Sequence, residues 1–325
     1  MKPYVYITRK LPEETIAEIA HHFDVKMWDH EDIPVSREVL LEEAKKASAL
    51  ITMLSDQVDA ELLTAGNNLK IVANLAVGYD NIDLKAATKR GILVSNTPDV
   101  LTETTADLTF ALLMATARRV VEAAEYVKAG KWEGWSPYLL AGHDIHSKTI
   151  GIVGMGKIGE AVARRAKGFG MEILYHNRSR KMDAEMEFGA QYSSFEELVS
   201  NSDYVVSLAP LTAETRNLFT ADVFTKMKKS AIFINVGRGP VVDEQALYEA
   251  LVHGEIAAAG LDVFVKEPIS ADHQLLKLPN VVALPHIGSA STETRTAMIK
   301  LCCSNVNAVL SGDRPKTIVN KEVLR

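Results

Sequence analysis

Short apolar runs alternate with amphipathic stretches along almost the whole chain. In the first third, PYVYIT (3–8), DVKMW (24–28), SALITM (48–53), LKIVANL (69–75) and ILVSN (92–96) have the length of strands. The segments between them carry apolar residues at helical spacing. Strands separated by helices pair in parallel, so the alternation predicts an α/β architecture. Thr97-Pro98-Asp99 interrupts it. A long helix is expected from Thr102 to the stop signal at Gly130, then an aromatic loop of little periodicity, KWEGWSPYLLAGHDIHSK. A second strand–helix series starts at KTIGIVG (148–154) and runs through MEILYHN, SDYVVSLAP, SAIFINVG, AAAGLDV and NVVALPH. The helical stretch STETRTAMIKLCCSNVNAVLSG closes the pattern. Two doubly wound domains are expected, one at residues 100–289 and the other built from residues 1–99 with 290–325.

The second series begins with a glycine turn. Gly154, Gly156 and Gly159 are spaced GxGxxG after an apolar strand and before an amphipathic helix, the context of a dinucleotide-binding turn. Gly154 suits the tight turn, Gly156 the approach of a pyrophosphate, and Gly159 close helix–strand packing. Lys157 and Ile158 open the helix, whose free N–H groups and positive dipole end attract phosphate. An NAD site normally carries an Asp or Glu about 20 residues further on. Here the strand ends in Tyr175-His176-Asn177, and no acid occurs between Glu172 and Asp183. Asn177 can bond a ribose hydroxyl. Arg178 and Arg180, with Ser179 between them, can pair with a 2′-phosphate. NADP(H) is therefore expected in preference to NAD(H).

Three further residues follow strands of the same series. Arg238 comes after AIFINV, Glu267 lies in LDVFVKEP, and His286 directly follows NVVALP, which reads as a buried strand. In an open α/β sheet the carboxyl ends of the strands carry the ligand. The residue types suit carbonyl reduction. An Arg can hold an α-keto carboxylate and polarise the carbonyl, a protonated His can donate to the oxygen, and a Glu beside the His favours its charged form. Spacing alone does not establish that the three converge. The other eight histidines read as surface or structural residues. No His/Cys/Asp/Glu cluster has metal-ligand spacing, so no metal is expected.

Composition narrows the partners. The formal net charge is −6, which disfavours nucleic acid. The two cysteines, Cys302 and Cys303, are adjacent and offer no chain-stapling disulfide, which fits a reduced, cytoplasmic location. The N-terminus MKPYVYITRKLPEE becomes charged before a leader-like apolar run develops. No apolar stretch reaches the roughly 20 residues of a membrane span.

Over essentially its full length the chain resembles the D-isomer-specific 2-hydroxyacid dehydrogenases. VGMGKIGEAVARRAKGFGMEILYHN is similar to their nucleotide signature. SAIFINVGRGPVVDEQAL, GLDVFVKEP and LPHIGSAS resemble their three catalytic blocks in order, and NLAVGYDNIDL (74–84) their substrate-domain block. The resemblance implies a Rossmann nucleotide-binding domain inserted into a flavodoxin-like substrate domain. It implies Arg238 as the substrate-orienting residue, His286 as acid/base and Glu267 as its partner. Asp262 would lie by the nicotinamide carboxamide, with Val236, Gly237, His286 and Gly288 lining the cofactor. Backbone N–H groups around Val77 and Gly78 would receive the substrate carboxylate, and Leu54 would line the same pocket. The long helix and the aromatic loop, near residues 118–145, would form the arm of a homodimer.

The YHNRSR end is similar to that of NADPH-dependent glyoxylate/hydroxypyruvate reductases, some of which also reduce 2-ketogluconate. The expected reaction is reduction of such a small 2-keto acid to the D-2-hydroxy acid. Phosphoglycerate dehydrogenases are similar too, but no Lys or Arg occurs between Lys46 and Lys70 to meet a substrate phosphate, and no C-terminal regulatory domain is expected. An NAD-dependent relative with another substrate is one alternative. A nucleotide-sensing corepressor is another, although no extra interaction segment is evident.

Overall fold

The computed structural model describes residues 2–324. The chain divides into two compact units, Met1–Leu101 with Ala290–Arg325, and Thr102–Ser289.

The first unit is built on five parallel strands, β1 (Tyr4–Ile7), β2 (Asp24–Met27), β3 (Ala49–Thr52), β4 (Ile71–Asn74) and β5 (Leu93–Ser95). Their order is β2-β1-β3-β4-β5, the flavodoxin-like arrangement. Helices α1 (Glu13–His22), α2 (Arg37–Ala44), α3 (Ala60–Ala65) and α4 (Leu84–Lys89) make the crossovers. Every residue of β3 and β4 is buried, which is why both read as unbroken apolar runs. Ser36, Asp59 and Asp83 cap α2, α3 and α4 through their side-chain oxygens. The C-terminal helix Thr292–Ser311 belongs to this unit. Its free thiols Cys302 and Cys303 are buried, and the Cys302 thiol points at the carbonyl of Asn74 at 3.6 Å.

The second unit opens with helices α5 (Thr102–Ala117) and α6 (Val120–Lys128). Seven parallel strands follow: β6 (Thr149–Val153), β7 (Glu172–His176), β8 (Gln191–Tyr192), β9 (Tyr204–Ser207), β10 (Ile232–Asn235), β11 (Ala258–Leu261) and β12 (Val281–Ala283). Their order is β12-β11-β10-β9-β6-β7-β8, a Rossmann sheet with its switch point between β6 and β9. The crossover helices are α7 (Lys157–Gly168), α8 (Met182–Phe188), α9 (Phe195–Asn201), α10 (Ala221–Lys226) and α11 (Glu244–Val252).

Two local expectations are corrected, and one short strand was not expected. The helix expected from Thr102 to Gly130 is two helices, because Arg119 takes a left-handed conformation with φ 53°. The cause is packing at the end of α5. The Ala117 carbonyl accepts from the N–H of His143, and a β-carbon at Gly142 would overlap the Ala117 carbonyl. The returning loop therefore occupies the path of a straight continuation. Half of α5 is buried, whereas α6 has no buried residue. The strand before His286 is not buried either: β12 lies at the sheet edge, paired only with β11, and is half-covered. Finally, β8 is two residues long and exposed, too short to register as an apolar run.

Candidate active site

The carboxyl ends of β10, β11 and β12 bring three distant segments together. A β-carbon on Gly239 would overlap the backbone of Phe264, so the loop after β10 presses directly on the loop after β11. Only a glycine permits that approach, and it brings Arg238 and Glu267 close enough for the arginine charge to act on the carboxylate. The Arg238 carbonyl accepts from the Asn235 side chain at 3.1 Å, and its guanidinium donates to the Gly237 carbonyl at 2.9 Å.

His286 lies just beyond β12 with φ 55°, a strained conformation for a non-glycine residue. Asp262, fully buried at the end of β11, holds the backbone there. Its two oxygens accept from the N–H groups of Ile287 and Gly288, each at 2.8 Å. Burial raises Asp262 above its ordinary value, although these N–H groups and the His286 charge pull the other way. A β-carbon at Gly288 would come within 3.2 Å of the Asp262 carboxylate, so this turn favours glycine.

The His286 ring meets Glu267: Nδ1 lies 2.7 Å from Oε2. The other Glu267 oxygen accepts from the Phe264 N–H at 2.9 Å. Burial alone would raise Glu267, but the hydrogen bond and charge of His286, the Phe264 N–H and Arg238 outweigh it and hold the carboxyl below its ordinary value. An ionised Glu267 accepts from Nδ1–H, which leaves Nε2 as the nitrogen available for proton transfer.

The glycine turn joins β6 to α7. Gly154 has φ 103°, and a β-carbon there would come within 2.8 Å of the backbone at Leu208 and Ala209. One at Gly159 would stand 2.5 Å from the Gly154 carbonyl oxygen, whereas one at Gly156 would meet open space. Helix α7 starts at Lys157, and the residue before it, Gly156, makes no side-chain cap. Such a cradle fits a dinucleotide pyrophosphate. Val236 and Gly237 follow β10 on the same sheet.

At the end of β7 the two arginines differ. Arg180 is engaged by Glu185, which also accepts from the Tyr175 hydroxyl at 2.6 Å. Arg178 is exposed, and its charge acts on Glu214. The Asn177 amide donates to the Ser179 carbonyl at 3.0 Å.

Leu54, Val77 and Gly78 belong to the first unit, on the loops after β3 and β4, and are half-buried. Sequence reasoning missed the supporting residues Asn74, Asn81 and Asn96. For Asn74 and Asn96 the one signal was an amide at or just past the end of an apolar run, in LKIVAN and ILVSN; Asn81, in GYDNIDL, had none of that kind. Among the described residues no group of three His, Cys, Asp or Glu could hold a metal, and no helix is long and apolar enough to cross a membrane.

Residues 110–288 match the family model of the D-isomer specific 2-hydroxyacid dehydrogenase, NAD binding domain. The chain belongs to the D-isomer-specific 2-hydroxyacid dehydrogenases. It is 52% identical over 326 residues to a glyoxylate reductase of Korarchaeum cryptofilum, covering 100% of this chain and 98% of the relative. A glyoxylate reductase of Thermococcus onnurineus is 51% identical, with the same coverage of both chains. Among solved structures, an NADPH-dependent glyoxylate/hydroxypyruvate reductase from Sinorhizobium meliloti, in complex with NADP and malonate, superposes with a TM-score of 0.86. It is 35% identical, and the match covers 99% of this chain and 98% of that one. This dehydrogenase is an NAD(P)-dependent oxidoreductase acting in the reduction of a 2-keto acid.

Proposed function

We propose that this dehydrogenase reduces glyoxylate or hydroxypyruvate, with 2-ketogluconate as a further candidate, and that it uses NADPH in preference to NADH. The observation that carries the reaction is the His286–Glu267 pair, 2.7 Å apart, on the sheet that bears the glycine turn. The names of the relatives support the substrate class. The lack of an acid at the end of β7 and the exposed Arg178 support the cofactor preference.

Gly154 to Gly159 and the start of α7 would hold the pyrophosphate, Asn177 and Ser179 the ribose, and Arg178 the 2′-phosphate. A bound nicotinamide supplies the hydride. Arg238 orients the keto acid and polarises its carbonyl. His286 gives the proton from Nε2, and Glu267 stabilises the charged ring before transfer and fixes its orientation. Asp262 keeps His286 in its strained position through the next two N–H groups. The substrate carboxylate is received by the loop at Val77 and Gly78, with Leu54 nearby on the neighbouring loop.

We further propose a homodimer formed through the arm. Trp135 and Tyr138 are 84% and 86% exposed, and Val120, Val121, Val127 and Trp132 are exposed as well. An apolar depression of about 530 Å³, lined by Met114, Val120, Ala123, Ile145 and Phe169 among others, lies on the same unit. Apolar surface of this kind marks protein contacts.

The test is a steady-state panel of glyoxylate, hydroxypyruvate, pyruvate and 2-ketogluconate, each with NADPH and NADH. Highest kcat/KM with glyoxylate or hydroxypyruvate and NADPH is expected. A clear preference for pyruvate or for NADH would overturn the corresponding half of the proposal. Sedimentation at micromolar concentration tests the dimer.

A further inference from the structure

We infer that Asn96 and Asn74 are positioning residues for the substrate carboxylate: their side-chain amides hold the carbonyls of Val77 and Gly78, which presets the outward N–H groups of Gly78 and Tyr79. The inference rests on the reading of this loop as the carboxylate-binding segment.

The loop follows β4, and three successive carbonyls in it are held from the protein side. The Ala76 carbonyl accepts from the Thr97 N–H at 2.8 Å. The Val77 carbonyl accepts from Asn96 Nδ2 at 2.8 Å, and the Gly78 carbonyl from Asn74 Nδ2 at 2.9 Å. In a planar trans peptide the carbonyl and the following N–H point in opposite directions. Holding those three oxygens therefore turns the N–H groups of Val77, Gly78 and Tyr79 away from their partners. Among the described residues none accepts from these three N–H groups. Val77 and Gly78 are half-buried and Tyr79 is exposed, which places this stretch at the surface of the unit. Successive outward N–H groups form a concavity for an anion.

The asparagines are themselves fixed. Asn74 is fully buried, and its oxygen accepts from Thr52 Oγ1 at 3.0 Å and from Asn81 Nδ2 at 3.3 Å. Asn81 Nδ2 also donates to the carbonyls of Met53 and Asp56, at 3.1 and 2.9 Å, which ties in the loop that carries Leu54. The buried Asp56 completes the lock: it accepts from the Met53 N–H at 2.7 Å, from the Thr8 hydroxyl, and from Arg9 at 3.4 Å. Asn96 stands one residue beyond Ser95, which pairs with Ala73, so Asn96 and Asn74 end adjacent strands. An asparagine at each end supplies the donor that a backbone carbonyl needs and no charge that would repel an arriving carboxylate. Tyr79 N–H becomes a third donor beside those of Val77 and Gly78.

Asn96→Ala is the primary test, since Asn96 is less buried than Asn74 and its loss threatens the fold less. The probe is oxalate, an unreactive dicarboxylate, titrated into the NADPH complex of enzyme labelled with 15N-glycine. In the wild type the Gly78 amide resonance should move downfield. In Asn96→Ala the titration midpoint should rise about tenfold or more, the loss expected for a weakened hydrogen bond to a charged group. KM for glyoxylate should rise by a similar factor, with a smaller change in kcat and NADPH affinity unaltered. Asn96→Asp, which cannot donate and adds a negative charge, should be worse than Asn96→Ala. If the Gly78 amide responds equally in wild type and variant, and KM is unchanged while the melting temperature falls, Asn96 is merely structural and the inference is wrong. If the wild-type Gly78 amide ignores saturating oxalate, the carboxylate binds elsewhere and the underlying reading fails with it.

Discussion

Arg180 is bound to Glu185 by two hydrogen bonds, Nε to Oε1 at 3.0 Å and Nη2 to Oε2 at 2.5 Å. Glu185 in turn takes the Tyr175 hydroxyl, so this arginine braces the end of β7 against α8. Among the described residues Arg178 has no such anchor, so on the proposed cofactor preference it is the stronger candidate for a 2′-phosphate. Arg178→Ala should weaken NADPH binding on the order of ten- to a hundredfold and leave NADH almost unchanged. Arg180→Ala should disturb NADPH far less. Asn177→Asp combined with Arg178→Ala should reverse the preference, because the new acid accepts from a ribose hydroxyl and repels the phosphate. The check is kcat/KM for both cofactors at one ionic strength. Equal losses for NADPH and NADH in Arg178→Ala would make Arg178 a surface residue.

His286→Gln keeps a polar side chain but has no titratable nitrogen. It should lower kcat by at least about a hundredfold, the low end of general acid–base effects, with NADPH binding retained. Stopped-flow reduction of glyoxylate and a fluorescence titration of NADPH separate the two effects. A near-normal kcat would remove His286 from the chemistry.

Glu267 gives a pH dependence with a defined sign. Its folded-state value is lowered, so the folded state holds its proton more weakly than the unfolded chain does. Its contribution to stability is complete above the ordinary glutamate value of about 4.3 and is lost as pH falls through the lowered folded value. Glu267→Gln should therefore flatten the acid limb of the stability–pH curve. In His286→Gln the partner that holds Glu267 down is gone, burial prevails, and the acid limb should move to higher pH. Urea melts between pH 3 and 7 on the two variants and the wild type would show it; identical curves would contradict the assignment.

Two glycines of one turn should fail in different ways. Gly159→Ala places a methyl 2.5 Å from the Gly154 carbonyl oxygen, so helix and turn must separate. Such overpacking costs about 1–3 kcal/mol, and both the melting temperature and NADPH affinity should fall. Gly156→Ala meets nothing within 4 Å at an ordinary φ of −87°, so the fold should be intact while the methyl obstructs an arriving pyrophosphate. Thermal melts beside NADPH titrations distinguish the variants. Normal NADPH affinity in Gly156→Ala would show that the pyrophosphate does not cross Gly156.

Much of the fold was legible along the chain because buried parallel strands are continuous apolar runs. LKIVANL and SAIFINVG could be read without knowing their neighbours, and β4 and β10 lie within them. The edge strand β12 reads identically in NVVALP, although none of its residues is buried; local composition does not record which strands flank another. Likewise nothing near Arg119 announces a break, since its cause is the approach of the loop at Gly142 and His143.

The sequence by itself determined the parallel α/β pattern, the glycine turn, the missing acid after His176 and the presence of Arg238, Glu267 and His286 in segments that follow strands. Those properties depend on residue type and near neighbours, which the linear order preserves. Tertiary structure alone decided that Glu267 meets His286 across 19 positions, that Asp262 closes the His286 turn across 25 and 26, and that Asn96 reaches Val77 across 19. A hydrogen bond of about 2.7–3.2 Å needs two atoms placed by the packing of whole elements. That placement is set where Gly239 lets one loop touch another and where β4 and β5 end side by side.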